Sequence, residues 1–358
     1  MTGKSNPKTR SKAKSRPRRV TPAKSLLVGL MSGGAAFGLI LVLVFLGALW
    51  TYVGPGPAAK EGNETLVDLR HGASLPEIAS ALRRAGVIGS QAVFITAAQV
   101  TGAARELKAG EYAIKSRESV SGILSDIRSG KIVRRQVTIP EGLTSEAVVE
   151  KLATEPLLSG VAPTPAEGSI LPETYEFSRG EDRARVLKRM MDAQDRLMAL
   201  LWQNRQSGLP FQSMNEAITL ASIVEKETGK ASERPRVAAV FLNRLRLGMR
   251  LQSDPTVIYG ISQGRPLGRG LLASELAAPS AFNTYQINGL PPTPIANPGR
   301  EALAAVLDPP RTSELYFVAD GTGGHAFAST LEEHIRNVSK WRRVEKARAS
   351  AVKPGEKS

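Results

Sequence analysis

Hydrophobic residues near the N-terminus run almost without interruption for longer than a buried helix of a soluble domain requires. Residues 26–53 form a stretch of 28 apolar or small residues, and no charged residue lies between Lys24 and Lys60. About 20 such residues are enough to cross a bilayer as a helix. The pattern therefore predicts a membrane-spanning helix over residues 25–53, followed by a turn-rich linker over residues 54–64.

Charge and aromatic residues on either side of this stretch predict its orientation. Residues 1–24 contain nine Lys and Arg and no acid, and such basic segments stay in the cytoplasm. Trp50 and Tyr52 stand at the far end, where the headgroup layer favours them. A cleaved signal peptide, with small residues at 57–59, is the alternative, but its apolar region would be about 7–15 residues long. We therefore expect a retained single-pass anchor.

Two segments 70 residues apart share one pattern of a strand, a glycine turn, a hydroxyl N-cap and a short amphipathic helix. In the first, alternation at residues 66–70 precedes Ser74, and Glu77 completes a capping box three residues later. In the second, the strand begins at Val137 and Thr144 is the N-cap.

A further strand at residues 107–114 and a helix at residues 120–127 lie between the two copies. Together these segments predict a small module of alternating strands and helices over residues 65–155. Such a module is similar to LysM-like glycan-binding modules. A structural spacer built from a common supersecondary unit is the alternative.

Residues 156–339 predict a mixed α+β domain, so the fold class of the chain is α+β. Helices are expected at 183–203, from Ser213 to about Thr228 and from Arg234 onward, and Ser213 with Glu216 forms the capping box of the second. Strands and loops are expected after Gly248. They are followed by a short element at 301–306, a strand at 315–319 and a final helix from Leu331.

The helix that ends near Thr228 is apolar nearly all round, which predicts that it is buried. Glu225 follows Ala221 by four residues and Ile218 by seven, so it lies over the same stripe. A carboxyl group in such a setting has a raised pKa, the property that a general acid needs near neutral pH. Glu227 lies on the opposite side and stays open as an alternative. Both glutamates could instead mark the solvated end of a core helix.

Composition narrows the chemistry and the partners. The absence of Cys excludes disulfides, iron–sulfur clusters and thiol catalysis. With only three His and no HExxH motif, a metal site is not expected. The net charge of +15 suggests nucleic acid, but nine charges lie in residues 1–24 and a net five in residues 340–358. The body is therefore near neutral, which argues against nucleic-acid binding; the basic tail is expected to be disordered.

One short motif favours a different enzyme class. Residues 260–264 match the G-x-S-x-G elbow of α/β-hydrolases, and Asp308 and His325 follow in the appropriate order. The elbow must open a helix, however, and residues 265–270 contain Pro266 and two glycines that prevent one. A serine hydrolase is therefore disfavoured.

Several motifs, in this order and spacing, resemble the YceG-like family of endolytic murein transglycosylases. They are ASIVEKET at 221–228, VFLNRL at 240–245, GMRLQSDPTV at 248–257, NTY at 283–285, GLPP at 289–292, IANPG at 295–299, LYFV at 315–318 and GGHAF at 323–327. The resemblance covers about residues 65–336. Phe282 departs from it, since the family more often has Tyr there.

The resemblance implies a bitopic protein of the bacterial inner membrane, with a LysM-like region and a catalytic domain over residues 156–339 in the periplasm. It implies cleavage of the MurNAc–GlcNAc bond within nascent glycan strands, which leaves 1,6-anhydroMurNAc ends and terminates strand elongation. No metal or cofactor is implied. Peptidoglycan strands are the implied substrate and peptidoglycan synthases the implied partners. A membrane-anchored peptidoglycan-binding scaffold without catalysis is the alternative.

The family's catalytic glutamate matches Glu225 by this resemblance. Glu225 would protonate the glycosidic oxygen and then, as a carboxylate, accept the proton of the C6 hydroxyl of the same sugar. Candidates for orienting this group or contacting the sugar are Glu227, Asn243, Gln252, Asp254, Asn283, Tyr285 and His325. Each of these could instead make only structural hydrogen bonds.

Overall fold

The structure is a computed structural model that describes residues 1–3 and 22–351. Within these ranges, only the backbone is described for residues 22–35 and 349–351. The described chain forms two compact units, Met1–Val133 and Arg134–Ser358. Most of the predicted basic segment (residues 4–21) and the end of the predicted tail (residues 352–358) lie outside the described residues.

Helix α1, Pro22–Val53, contains the uncharged stretch that the sequence predicts to span a membrane. In the part of the chain that the structure describes, it is the one helix long and apolar enough to cross a bilayer, over Ala36–Val53. Length and composition thus agree with a single-pass anchor. Its orientation and the identity of the membrane stay predictions.

The rest of the first unit consists of a two-stranded antiparallel sheet and three helices. Two of these helices lie between the two strands in the chain. Its elements are β1 (Glu64–Leu69), α2 (Leu75–Arg84), α3 (Gln91–Val100), β2 (Gly110–Lys115) and α4 (Val120–Ser129). Leu69 of β1 faces Gly110 of β2, and Val67 and Leu69 join the helices in one core. These strands and α2 and α4 confirm the predicted pattern. Helix α3 was not predicted, since β-branched residues fill four of its ten positions.

The predicted repeat is confirmed in three dimensions. Strand β3 (Arg135–Thr138) and helix α5 (Ser145–Ala153) repeat the order of β1 and α2. Gly72 and Gly142 occupy equivalent turns with φ of 77° and 74°, a left-handed conformation that favours glycine.

The second copy of the repeat nevertheless belongs to the second unit. Strand β3 pairs antiparallel with β4 (Thr174–Phe177), and the division of the chain falls after Val133. The expected boundary near residue 155 therefore differs from the division in the structure, because β3 finds its partner strand downstream rather than upstream. The LysM-like character of residues 65–155 stays a prediction.

The second unit is built around helix α7. Its further elements are α6 (Arg183–Gln203), α7 (Met214–Glu227), α8 (Arg234–Arg246), α9 (Asp254–Ser262), α10 (Ala273–Ala277), α11 (Arg300–Leu307), β5 (Tyr316–Ala319), β6 (His325–Ala328) and α12 (Leu331–Ala351). Helix α7 packs against α8 and α11, and Leu220, Ile223 and Val224 are fully buried between them. The expected buried helix and its capping box at Ser213 and Glu216 are confirmed.

Two expectations for this unit need correction. Strands and loops were expected after Gly248, but α9 begins at Asp254. Pro255 lies in its first turn, where a missing N–H costs no helical hydrogen bond. The tail was expected to be disordered from residue 340, but α12 continues to Ala351. This stretch is rich in Arg, Lys and Ala. Its charge suggested disorder, but these residues are also strong helix formers.

The G-x-S-x-G match does not form an elbow. Ser262 ends α9, and its hydroxyl lies within hydrogen-bond distance of the carbonyl oxygens of Ile258 and Arg265, to either of which it can donate. A nucleophile elbow requires the serine between a strand and a following helix. The structure thus agrees with the sequence in disfavouring a serine hydrolase.

Candidate active site

The last turn of α7 presents two glutamates to different surroundings. Glu225 and Glu227 are two positions apart, which places their side chains on roughly opposite sides of a helix with 3.6 residues per turn. Thr228 leaves the helical conformation, so both glutamates lie at the C-terminal end of α7. Each carboxyl group therefore meets a different set of neighbouring elements.

Both carboxylate oxygens of Glu225 accept hydrogen bonds from fixed donors. Arg234, the first residue of α8, donates to Oε1 at 2.9 Å, and the backbone N–H of Gly299 donates to Oε2 at 2.9 Å. The Glu225 side chain is only 4% exposed. Since both partners are donors, an ionised carboxylate satisfies both, and a protonated one would lose a bond.

Arg234 connects three carboxylates. Besides Glu225, its guanidinium donates to Glu141 at 2.8 Å and to Glu301 at 2.7 Å, and its side chain is 9% exposed. These partners lie on the loop before α5 and in the first turn of α11. A forked, always-charged side chain can hold several carboxylates at once. We call Glu141, Glu225, Arg234 and Glu301 the Arg234 cluster.

Gly299 caps α11 and brings its N-terminus against Glu225. The positive end of a helix favours a carboxylate at this position. A Cβ atom at Gly299 would overlap the Glu141 carboxylate, so the Glu141 side chain would have to move to admit one.

Opposing effects act on the pKa of Glu225. Burial raises this pKa, the Gly299 hydrogen bond lowers it, the Glu141 charge raises it, and Arg234 lowers it. The net direction is upward. In this structure each oxygen of Glu225 already has one fixed donor, and the side chain is almost fully buried.

Glu227 has a different environment, in which its carboxyl group accepts one hydrogen bond from the described residues. The hydroxyl of Ser253 donates to its Oε1, and no described residue makes a hydrogen bond to Oε2. Burial raises the pKa of Glu227 to about 7. Ser253 and Arg244 oppose this rise, while the negative charge of Asp254 adds to it. Glu227 is therefore a half-buried carboxyl that is partly protonated near neutral pH.

The loop that brings Ser253 to Glu227 is tightly held. Gln252 has φ of 52°, a left-handed conformation that is uncommon for a residue with a Cβ. Its N–H donates to the carbonyl of Thr284 at 3.1 Å, and the N–H of Ser253 donates to the Thr284 hydroxyl at 2.9 Å. Such backbone strain persists where surrounding contacts over-determine it, as at ligand-binding sites. The Gln252 side chain is exposed, and the next residue, Ser253, contacts Glu227.

Asp254 and Tyr285 extend this corner. The Tyr285 hydroxyl donates to Asp254 Oδ1 at 2.7 Å, and Asp254 is exposed. Burial and the nearby Asp254 carboxylate raise the pKa of Tyr285 above its ordinary value, so its hydroxyl stays protonated. The structure thus brings four of the predicted residues around Ser253: Glu227, Gln252, Asp254 and Tyr285. We call these residues with Ser253 the Glu227 corner.

Two predicted contact residues have structural duties instead. The Asn243 amide donates to the carbonyls of Thr312 and Glu314, and its oxygen accepts from Arg246. Asn283 is buried; its amide donates to carbonyls within residues 275–278, and its oxygen accepts from the N–H of Tyr285. Neither side chain has a polar group left over for a sugar.

His325 lies in a separate cluster at the start of β6. Its Nδ1 is 2.7 Å from Glu233 Oε2, and its ring packs edge-on against Phe317. The Glu233 carboxylate also accepts the backbone N–H of His325. These contacts fix the β5–β6 hairpin to the segment before α8.

Sequence reasoning did not single out Ser253, Arg234, Glu141 or Gly299. Ser253 and Gly299 lie inside motifs quoted above, and in the first of these motifs the adjacent Asp254 was chosen as the candidate side chain. Gly299 acts through its backbone, for which a sequence carries no side-chain signal. Arg234 and Glu141 are separated by 93 positions and meet only in the folded chain.

Metal ligation has no support in the described part of the chain. Across residues 1–3 and 22–351, no group of three or more His, Asp or Glu side chains could hold a metal ion.

Helix α7 ends in one buried and one half-buried glutamate, and comparison with known families identifies the class of protein. Residues 67–340 match the YceG-like family. The chain therefore belongs to the YceG-like family, which confirms the resemblance noted in the sequence.

Curated relatives carry one name. An endolytic murein transglycosylase of Streptococcus pneumoniae (strain ATCC BAA-255 / R6) is 29% identical, over 88% of this chain and 63% of its own length. An endolytic murein transglycosylase of Bacillus subtilis (strain 168) is 28% identical, over 80% of this chain and 87% of its own. The chain thus spans less than two thirds of the pneumococcal relative.

A crystal structure of a YceG-like protein from Listeria monocytogenes is also similar. It is 28% identical in sequence, and the match covers 77% of this chain and 99% of that one, with a TM-score of 0.47.

Proposed function

We propose that this chain is an endolytic murein transglycosylase, a lyase that cuts the MurNAc–GlcNAc bond within glycan strands of nascent peptidoglycan and so ends their elongation. Family membership and the names of its relatives support this reaction. The observation that carries the proposal is Glu227, a half-buried carboxyl with a pKa raised to about 7 and one oxygen without a partner among the described residues.

Glu227 begins the reaction as a general acid. It donates its proton to the glycosidic oxygen while the bond from that oxygen to C1 of MurNAc breaks. A group with a pKa near the working pH is best suited to this transfer, because it is often protonated and still gives up its proton readily. Glu227 leaves this step as a carboxylate.

The same carboxylate completes the reaction as a base. It accepts the proton of the C6 hydroxyl of MurNAc as the C6 oxygen bonds to C1 and closes the 1,6-anhydro ring. The proton balance of Glu227 is restored, and no water is consumed. Hydrolysis usually requires two carboxyl groups, whereas an attacking group on the same sugar makes one sufficient.

Glu225, to which the resemblance assigned this role, is proposed to be a positioning residue. Its two oxygens are occupied by Arg234 and Gly299, and its side chain is 4% exposed. In this position it ties the end of α7 to the starts of α8 and α11. Glu227 then projects from a fixed turn, as a reacting group must.

The remaining groups of the Glu227 corner are proposed to bind the sugar. Gln252 and Asp254 are exposed and polar, and Tyr285 supports Asp254. The charge of Asp254 also raises the pKa of Glu227 and so favours the protonated acid.

The surroundings follow from the proposed substrate. We propose a single-pass anchor in the bacterial inner membrane, a cytoplasmic N-terminus and a periplasmic catalytic region. A LysM-like, glycan-binding role for the module and peptidoglycan synthases as partners also belong to this proposal. The membrane-anchored scaffold without catalysis is the outcome to be tested against it.

Product analysis distinguishes these possibilities. The full chain in detergent is incubated with uncrosslinked glycan strands, and the fragments are analysed by mass. Internal fragments with anhydro ends support the proposal. Reducing ends would show a hydrolase, and binding without cleavage would show a scaffold; either result contradicts it.

A further inference from the structure

A groove between α1 and α3 is lined mainly by apolar side chains. It has a volume of about 400 Å³. Its lining residues include Phe45, Leu49, Tyr52, Val93, Ala97 and Val100. The first three belong to the candidate membrane span and the others to α3. The groove thus joins the surface of the span to the surface of the first unit.

Helix α3 lacks the charges that a solvent-facing helix normally carries. No charged residue occurs between Arg84 and Arg105, although 23% of the whole chain is charged. Phe94 and Ala98 face the core, whereas Val100 is 81% exposed. An exposed apolar face in an uncharged segment is unusual for a surface in contact with water.

The connection between α1 and the first unit is held rather than loose. The N–H of Gly56 donates to the carbonyl of Arg117 at 3.1 Å, and the N–H of Arg117 donates to the carbonyl of Pro57 at 3.0 Å. A Cβ atom on Gly56 would overlap the carbonyl oxygen of Glu118. These contacts tie the segment after α1 to the loop that precedes α4, and α1 itself also contacts α3.

We propose that α3 lies in the membrane interface, with lipid acyl chains filling the groove between it and α1. This inference depends on α1 crossing the bilayer and is independent of the proposed reaction. From Phe45 to Tyr52 the helix rises by about 10 Å, at 1.5 Å per residue. That depth agrees with the 5–10 Å or so to which an interfacial helix inserts its apolar face. Tyr52 marks the headgroup end, where amphipathic aromatics accumulate.

The occupant follows from continuity with the span. If α1 crosses the bilayer with its last turns in the hydrocarbon, any helix packed beside Phe45 and Leu49 is at the same depth. The groove is open to the surface that lipid covers on α1, so acyl chains reach it without a new opening. The first unit then contacts the membrane surface directly, in addition to its covalent connection to α1.

The absence of cysteine makes a direct test possible, because a single introduced thiol can carry a fluorescent label. We choose Val100→Cys in α3, Leu41→Cys in the middle of the span and Leu66→Cys as a matched control. Leu66 is 54% exposed on the face of β1 opposite Val67, away from the helical core. Each labelled full-length chain is reconstituted into vesicles that contain brominated lipids.

The expected result is loss of emission at Val100 comparable with that at Leu41, and none at Leu66. Quenching at Leu41 without quenching at Val100 would overturn the proposal, since α3 would then stand clear of the bilayer. Absence of quenching at Leu41 would overturn its premise. Protection of the Val100 label from both brominated lipid and an aqueous quencher would assign the groove to a protein partner instead. None of these readouts depends on glycan cleavage.

Discussion

Glu225 and Glu227 are two residues apart on α7, yet their carboxyl groups have different hydrogen-bond partners, in the Arg234 cluster and in the Glu227 corner. The first surrounds Glu225 with two fixed donors, an arginine and a helix N-terminus. The second gives Glu227 one hydroxyl donor and a neighbouring negative charge, Asp254. Burial raises the pKa of both groups, so burial alone does not choose between them. The partners decide which carboxyl has a proton and an oxygen available for a substrate.

The largest expected effect comes from Glu227→Gln. The amide keeps an acceptor for Ser253 but cannot deliver a proton, so glycan cleavage should fall by about 10²–10⁴-fold, the usual contribution of a general acid. The measurement is the initial rate of release of anhydro-ended fragments. Gln212→Glu, at an exposed position just before α7, serves as a control for a change of one charge. Retention of the wild-type rate in Glu227→Gln would contradict the assignment.

The next effect concerns the stability of the Arg234 cluster. Arg234→Ala leaves Glu225 buried without its counter-ion and should lower the free energy of unfolding by about 3–5 kcal/mol. Arg236→Ala is the matched control, because Arg236 pairs with Glu314 at a 48% exposed position. It should cost about 1 kcal/mol or less. Hydrogen exchange of α7 and α11 measures both, and equal protection in the two variants would argue against a structural role for the cluster.

The two Gln variants should change the free energy of unfolding by different amounts. Glu225→Gln has one acceptor for two donors, so Arg234 or Gly299 loses its partner at a cost of about 1–3 kcal/mol. Glu227→Gln removes a carboxylate whose folded pKa of about 7 lies above its ordinary value of 4.5. The penalty of the ionised Glu227 therefore grows from pH 4.5 to 7 and is complete above pH 7.

At pH 8 we accordingly expect Glu227→Gln to be more stable than the wild type, by about 1–3 kcal/mol, and no more stable at pH 4. Urea unfolding at the two pH values measures this difference. Equal stability changes for both Gln variants at pH 8 would remove the distinction between the two sites.

The smallest effects are shifts in the pH dependence of the rate. Because the acid must be protonated, kcat/KM should fall above a pKa of about 7. Asp254→Asn removes a charge that raises the pKa of Glu227, so the fall should begin at lower pH. Ser253→Ala removes a hydrogen bond that lowers this pKa, so the fall should begin at higher pH. Each shift is expected to be about one unit or less. Shifts in the same direction for both variants would contradict the proposed origin of this pKa.

The sequence predicted α7 and several other elements correctly, but it was insufficient for the choice between the glutamates. Apolar spacing predicted α7, and Ser213 with Glu216 predicted its start, because capping and periodicity are local properties. Helical position also predicted burial of Glu225. Periodicity could not reveal that Arg234 and Gly299 occupy that buried carboxylate, since these partners are distant along the chain.

The same limit explains the other differences. Helix α9 contains Pro255 in its first turn, where proline is tolerated although it is unfavourable further inside a helix. The boundary after Val133 depends on β3 pairing with β4, a contact between residues nearly 40 positions apart. Asn243 and Asn283 have the chemistry of sugar ligands, yet the fold uses all of their polar groups.

The most direct test of the account compares Glu225→Gln and Glu227→Gln in one assay, with rates of anhydro-fragment release expressed per folded molecule at pH 6. We predict that Glu225→Gln keeps its rate to within about tenfold, because it acts only on position, and that Glu227→Gln loses about 10²-fold or more. The reverse order, in which Glu227→Gln is active and the folded Glu225→Gln is inactive, would identify Glu225 as the general acid and contradict the proposed mechanism.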